Sequence, residues 1–483
     1  MTTASPETTS LSIDGEAVAA ATAVLPYVES WIAYRAWKLR VPGVQYAVWF
    51  DDRVQLTGAV GSADLETSAP LTTQHLFRIA SHSKTFTATA VLQLFDAGRL
   101  RLDDALGDHV PELADAPSGV GRVTLRELLE HGGGVLRDGH DGDYWQHARP
   151  FPGTDELLAM VRDDGIKVEP NSRFDYSNLG YSLLGLVVAR VSGKPYGDYV
   201  HEQIVEPLGL RNTHAELDAT RADDYAIGYS GFHTSLERRP IPHVDTAALA
   251  PATGFASTAE DVVRYLAAHR IGSGELLSDS AKRLQQRRGW ASTPSGSRDY
   301  GLGLILEKVS GRSVLGHSGG YPGHITRSFL DPADGIAVSI LTNAIDGPAF
   351  ELSTGVLALI DAALRSPARR SLRAAPAALG ETGAFEGRFA GAWGVVDVVR
   401  LGERLVMTSP GGPDPITDVD VLEVVDDDTL RISEGDGFGS VGELVHYDRD
   451  EAGVVTRVRA GGGVTLWPYA VGDDFAPPWS GLG

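Results

Sequence analysis

No cysteine occurs anywhere in the 483 residues, which excludes disulfide scaffolds, thiolate metal sites and cysteine nucleophiles. Lysine is scarce: six stand among 42 basic residues, with only four asparagines and three methionines in the whole chain. A net charge of -22 leaves no cationic footprint to displace counterions from a polyphosphate, so no nucleic-acid partner is expected. The 14 histidines include no His-x-x-x-His or His-Glu-x-x-His spacing, so no metal is expected. Neither a glycine-rich phosphate cradle nor a Gly-x-Ser-x-Gly elbow is found, and no cofactor is expected. No apolar run reaches the ~18 uninterrupted residues of a membrane helix. The first 14 residues are polar and Thr/Ser-rich, lacking the basic and apolar regions of a leader. These absences predict a cytoplasmic protein with no membrane partner.

What remains is the composition of an ordinary globular protein, 42% hydrophobic and 22% charged. The length predicts one large domain and a smaller one. Ala17 to Leu39 carries Val24, Leu25, Val28, Trp31 and Ile32 at helical spacing. Val44 to Phe50 and Val54 to Val60 read as a hairpin around Asp51-Asp52-Arg53. Helices are predicted over Thr85 to Asp96, with one apolar face, and over Leu125 to Glu130, Asp155 to Val161 and Tyr181 to Val191. Successive strands are predicted between Arg312 and Asn343, then a helix over Val356 to Leu364. Strands at both ends with helices between predict an α+β domain whose antiparallel sheet is closed by its own two termini, with flanking helices and a helical subdomain. Residues 1–15 read as a tail, 16–365 as this domain and 366–383, rich in Pro, Ala and Arg, as a linker. In 384–483 short apolar runs alternate with Gly and Asp clusters, predicting a small antiparallel barrel or sandwich.

Three short motifs carry chemistry. Ser81 and Lys84 stand at i and i+3, so on a helix both side chains leave the same face. Ser81 at the first turn would lie among unpaired N–H groups that favour an alkoxide. Standing alone, this spacing describes equally a capping serine and a solvated lysine. In Tyr176-Ser177-Asn178, a phenol whose pKa is lowered by a nearby ammonium can take and return a proton. Asn178 offers both donor and acceptor to a substrate amide. His131, His140 and His317 each precede glycine by one or two positions. Only His317-Ser318-Gly319-Gly320 lies on a strand flanked by strands, where substrate can approach backbone N–H groups.

In this order the motifs resemble those of the serine β-lactamase and penicillin-binding-protein superfamily, in its class C-like branch. Phe77-Arg78-Ile79-Ala80-Ser81, Phe174-Asp175-Tyr176-Ser177-Asn178, Pro207-Leu208-Gly209-Leu210 and Ser257-Thr258-Ala259-Glu260-Asp261 are similar to family segments, which together cover Val44 to Asn343. The resemblance implies a β-lactamase/transpeptidase-like fold with a lipocalin-like barrel appended. It implies that Ser81 attacks a carbonyl and forms an acyl-serine, and that Lys84 and Tyr176 share the acid and base work. Asn178 and the strand of His317, Ser318 and Gly319 would then hold the substrate, with N–H groups of Ser81 and Gly320 as oxyanion donors. His317 would replace the family's third-motif lysine, disfavouring β-lactams and free terminal carboxylates. Glu130-His131-Gly132-Gly133-Gly134 departs from the His-Thr-Ser-Gly turn of relatives.

The activity so implied is hydrolysis of a peptide, amide or ester beside a D-configured residue in a small-molecule or peptide substrate. Two alternatives stand beside it. One is a nonribosomal peptide cyclase in which a peptide amine resolves the acyl-serine. The other is a non-catalytic module that binds peptides or β-lactams. Oligomeric state is not legible.

Overall fold

The computed structural model describes residues 15–233, 235–293, 295–364, 382–417, 419–435, 441–460 and 463–473. The expected N-terminal tail and almost all of the expected linker fall outside these residues. Two compact units emerge, one built on Val41–Phe350 and the other on Asp14–Arg40 with Glu351–Gly483.

The first unit is organised on a nine-stranded sheet. Its strands are β1 (Gly43–Phe50), β2 (Arg53–Asp64), β3 (Ala69–Pro70), β4 (Trp290–Ala291), β5 (Arg298–Tyr300), β6 (Ile305–Val309), β7 (Arg312–Tyr321), β8 (His324–Asp331) and β9 (Ile336–Thr342). Their spatial order is β3-β2-β1-β9-β8-β7-β6-β5-β4, antiparallel throughout. The register Val44↔Thr342 to Trp49↔Ala337 joins the first strand to the last, the closure expected from the sequence. Asp51 and Asp52 both take positive φ, 53° and 55°, which a two-residue type I′ hairpin requires.

Helix α2 (Ser83–Asp96) packs among α3 (Asn178–Ser192) and the one-turn helix Ala250–Gly254. The sequence predicted one apolar face, yet every residue from Ser83 to Leu92 is buried. The threonines make this possible by hydrogen-bonding inside the protein: Thr85 Oγ1 donates to the His82 carbonyl and Thr87 Oγ1 to that of Pro251. Helix α3 starts three residues before the predicted boundary because the Ser177 hydroxyl accepts the Gly180 N–H at 2.8 Å and caps it. Helix α4 (Ala259–Ala267), capped by Thr258, covers β1, β8 and β9 on one face.

In the second unit, α1 (Gly15–Lys38) packs against α5 (Ala349–Leu364), and the Trp31 ring fills the space above Gly355. By length and hydropathy α1 meets the requirement for a membrane span, and one face of it, with Val28, Trp31 and Ile32, is fully buried within the protein. Tyr27 donates to Asp397, whose two oxygens also receive the Arg388 guanidinium. The eight strands β10 (Gly387–Gly391), β11 (Gly394–Leu401), β12 (Arg404–Thr408), β13 (Asp420–Asp426), β14 (Thr429–Glu434), β15 (Leu444–Arg449), β16 (Val455–Arg459) and β17 (Thr465–Pro468) close into a barrel. Phe389, Leu405, Leu430, Ile432, Val445, Tyr447 and Val458 form its core, as interior-facing residues of a small barrel do.

In the first unit His82 and His269 are fully buried and His243 is half-buried, and their surroundings disfavour the charged ring. Desolvation holds His82, His243 and His269 down to about 4. A histidine whose folded pKa lies below its unfolded value of ~6.5 keeps its full contribution above that pH and loses it as pH falls toward the folded pKa. Thermal melts are therefore expected to drop between pH 6.5 and 4.5, above the range where most carboxylates protonate. His269→Gln should flatten that slope; an unchanged slope would show that this ring is not buried neutral.

Candidate active site

Ser81 lies on a single 3-10 turn, Ala80–His82, that leads directly into α2. Its predecessor Ala80 holds φ +50°, a left-handed conformation that costs a residue with a Cβ about 1–2 kcal/mol. The turn is pinned by Ser83 Oγ, which donates to the Ala80 carbonyl at 2.6 Å and accepts the Phe255 N–H at 3.1 Å.

One helical turn on, Lys84 is completely buried. Its Nζ stands 3.2 Å from Ser81 Oγ, 2.7 Å from Asn178 Oδ1 and 2.8 Å from the Ala252 carbonyl oxygen. Burial pushes its pKa well below the ordinary lysine value, with Asp138 opposing the shift and Arg137 adding to it. A neutral amine has two N–H groups and one lone pair. The two carbonyl oxygens can only accept, so they hold two of its hydrogens, and once the amine is neutral its lone pair is left for the Ser81 hydroxyl.

Asn178 occupies the first position of α3 and joins Lys84 to Asp138. Its Oδ1 meets Lys84, while its Nδ2 donates to Asp138 Oδ1 at 2.6 Å. Asp138 also accepts from Trp145 Nε1 at 2.9 Å and Arg137 Nε at 3.1 Å. Both polar ends of the Asn178 carboxamide are thus engaged within the protein, so an amide contact to substrate would need one of them released.

Tyr176 precedes α3 in extended chain, its ring centroid 4.8 Å from Lys84 Nζ. The sequence predicted a phenol made more acidic by that ammonium. The structure reverses this expectation: burial raises the Tyr176 pKa, and Ser81 and Arg137 offset it only in part. The reason is that desolvation disfavours the phenolate more than these neighbours stabilise it, and the Asp138 carboxylate adds to the rise. His131 ends a helix: with φ +59°, it closes Leu125–Leu129 through His131 N–H to Leu128 and Gly132 N–H to Glu127. It also lies 4.2 Å from the Tyr176 ring, and its Nδ1 accepts the Ser177 N–H at 3.1 Å. His140 is exposed beside Asp164.

Ser81, Tyr176, His317, Ser318 and Gly320 share one pocket of about 360 Å³, with Phe174, Arg298 and Tyr300 also on its wall. Lys84 and Asn178 stand behind Ser81. Gly319 turns away from the pocket: a Cβ there would collide with the Ile79 carbonyl oxygen, so β7 can lie against the Ser81 turn only if this residue is glycine. His317 is buried, and desolvation together with His82 and Lys84 drives its pKa well down. Among the described residues, no group of three or more His, Asp or Glu side chains could hold a metal ion.

Sequence reasoning missed Asp138, Tyr300 and Ala252. None belongs to a motif with diagnostic spacing. Each reaches the site from a separate loop or strand, so only long-range packing brings it there.

Comparison with known proteins supports the same reading. A model of the family Beta-lactamase matches residues 28–362. The chain is 29% identical to penicillin-binding protein 4 of Amycolatopsis lactamdurans over 319 residues, 63% of this chain and 81% of that protein. It is 29% identical to esterase EstB of Burkholderia gladioli over 402 residues, 74% of this chain and 98% of that one. Among solved structures, D-amino acid amidase from Ochrobactrum anthropi SV3, complexed with L-phenylalanine amide, superposes with a TM-score of 0.60 at 25% identity. That superposition covers 72% of this chain and 100% of the amidase.

Proposed function

Since this chain belongs to the beta-lactamase family and is a serine hydrolase of the β-lactamase and penicillin-binding-protein type, we propose that it cleaves an amide or ester beside a D-configured residue through acyl-Ser81. The observation that carries this reading is the shell of Lys84, a buried amine within hydrogen-bond distance of the Ser81 hydroxyl and of two carbonyl oxygens, those of Asn178 and Ala252.

The steps follow from the geometry. Ser81 gives its proton to Lys84 Nζ as Oγ attacks the substrate carbonyl. The oxyanion is met by the N–H groups of Ser81 and Gly320, a contribution of about 3 kcal/mol per donor. Tyr176 stays a neutral phenol because burial raises its pKa. It therefore donates toward the leaving group, and the Lys84 ammonium restores the proton balance. Water then resolves the acyl-serine by the reverse route. A pocket of about 360 Å³ lies at the small end of ligand sites and suits one or two residues of substrate. The likeness to a D-amino acid amidase and to an esterase supports the D-residue and the amide or ester bond.

The test is intact-mass analysis after rapid quenching with D- and L-aminoacyl amides and small activated esters. An acyl increment mapped to the Ser81 peptide, with faster product release from the D series, is expected. No increment and no turnover with any substrate would leave a binding module. Products formed with added peptide amines separate transfer, as in a peptide cyclase, from hydrolysis.

A further inference from the structure

The hydrogen-bond inventory around His317 assigns a role to Tyr300, a side chain on β5 that no motif singles out. His317 Nδ1 lies 2.7 Å from the carbonyl oxygen of Ser318, and its Nε2 lies 3.0 Å from the Tyr300 hydroxyl. A carbonyl oxygen can only accept, so Nδ1 must carry the hydrogen. In a neutral imidazole Nε2 is then bare and must accept, and Tyr300 O–H is the donor. The neighbouring Tyr181 gives its own hydroxyl hydrogen to the Leu129 carbonyl at 2.6 Å, so toward Tyr300 it can only accept, and the Tyr300 hydrogen has two acceptors, the Tyr181 oxygen and His317 Nε2. Tyr300 is 1% exposed, and its ring packs against His131 at 4.7 Å and Phe174 at 5.5 Å, so its phenol cannot swing away.

We propose that Tyr300 is a positioning residue that fixes His317 as the Nδ1–H tautomer, making the imidazole an uncharged wall of the pocket and leaving Ser318 and Gly320 as the polar groups that β7 offers to substrate. This deepens the serine-hydrolase reading and rests on it for its kinetic consequence only. The groups that face His317 are His82 across the strand with ring centroids 6.1 Å apart, Lys84, Arg298 and His131, whose positive charge, where carried, opposes one on the imidazole, the phenols of Tyr300 and Tyr176, and the Ser318 carbonyl, which favours it. With Tyr300 in place, neither ring nitrogen is available to a proton from solvent. Without its hydroxyl, Nε2 is bare and can take one.

The experiment combines imidazole nitrogen NMR with kinetics. The His317 signals are identified by their loss in His317→Asn. In the wild-type protein they are expected to show Nδ1–H and to hold constant from about pH 8 to pH 5, where an ordinary histidine titrates. In Tyr300→Phe the same signals should titrate or exchange tautomers, and kcat/KM should fall about tenfold and gain an acid limb absent from wild type. In the His317→Asn background, Tyr300→Phe should cost nothing further, which a merely structural tyrosine would not produce. An Nε2–H ring in the wild-type protein, or unchanged signals in Tyr300→Phe, would overturn the assignment. The wild-type spectrum decides even if the variant does not fold. A protein with the predicted tautomer but no acyl adduct on Ser81 would instead refute the hydrolase reading while leaving the Tyr300–His317 lock standing.

Discussion

Ser81→Ala is expected to eliminate the acyl adduct and to lower kcat/KM by at least about 10⁴-fold, and Lys84→Met to lower it by about 10³-fold. The serine supplies the bond-forming oxygen, so nothing replaces it. Lys84 supplies the base, and methionine fills its volume without a lone pair. Because both act in one step, the double variant should be no worse than Ser81→Ala alone; additive losses would show that they do not work as a unit. The wild-type pH profile should fall on its acid side as Lys84 takes a proton, and that limb should vanish in Lys84→Met. Stability moves differently. A lysine whose folded pKa is depressed binds its proton more tightly when unfolded, so below ~10.4 it destabilises the fold increasingly until pH reaches the folded pKa. Methionine removes that penalty and leaves Asn178 Oδ1 and the Ala252 carbonyl short of a donor, about 1–3 kcal/mol each. The two effects oppose each other, so Tm should stay within several degrees while activity is lost. A collapse in Tm would reassign the lysine to stability.

Gly319→Val is expected to lower kcat/KM by about 100-fold or more without touching any group that reacts. The valine Cβ would collide with the Ile79 carbonyl oxygen and crowd Thr326 Oγ1. Both are rigid: Thr326 is buried, and Ile79 N–H is bonded to the Phe255 carbonyl at 2.9 Å. The strand must therefore move off the turn that carries Ser81, separating the Gly320 N–H from the Ser81 N–H. A misplacement of about 1 Å between reacting groups costs on the order of 10²-fold, and overpacking destabilises by about 1–3 kcal/mol. Gly320→Ala is the control, since a Cβ there meets only Ile325 Cδ1 at 3.6 Å; it should keep its fold. Equal loss in both variants would show that the strand spacing is not what Gly319 protects.

Much of this protein is legible without coordinates. The hairpin at Asp51-Asp52, the closure of the sheet by strands from both ends and the all-β character of the last hundred residues follow from period-two runs punctuated by turn residues. Ser81 and Lys84 are legible as a pair because three residues of helix bring them to one face, and His317 to Gly320 because a strand carries them. Local rules succeed there because the chemistry is contained within a few consecutive residues.

Other features are decided by the chain's distant parts. That α2 is buried on every side depends on hydroxyl partners in segments more than 160 residues away, such as Pro251 for Thr87. The acidity of Tyr176 differs from the sequence expectation because sequence places an ammonium near a phenol but does not show how far each is desolvated. Burial then raises the phenol and lowers the amine together, reversing the direction expected from charge alone. The sequence by itself determined which residues can act, through helical and strand periodicity that fixes short-range geometry. Only the tertiary structure decided their electrostatic setting, by burying Lys84 and His317, which lowers both pKa values, and by bringing Ala252, Asp138 and Tyr300 in as hydrogen-bond partners from distant segments.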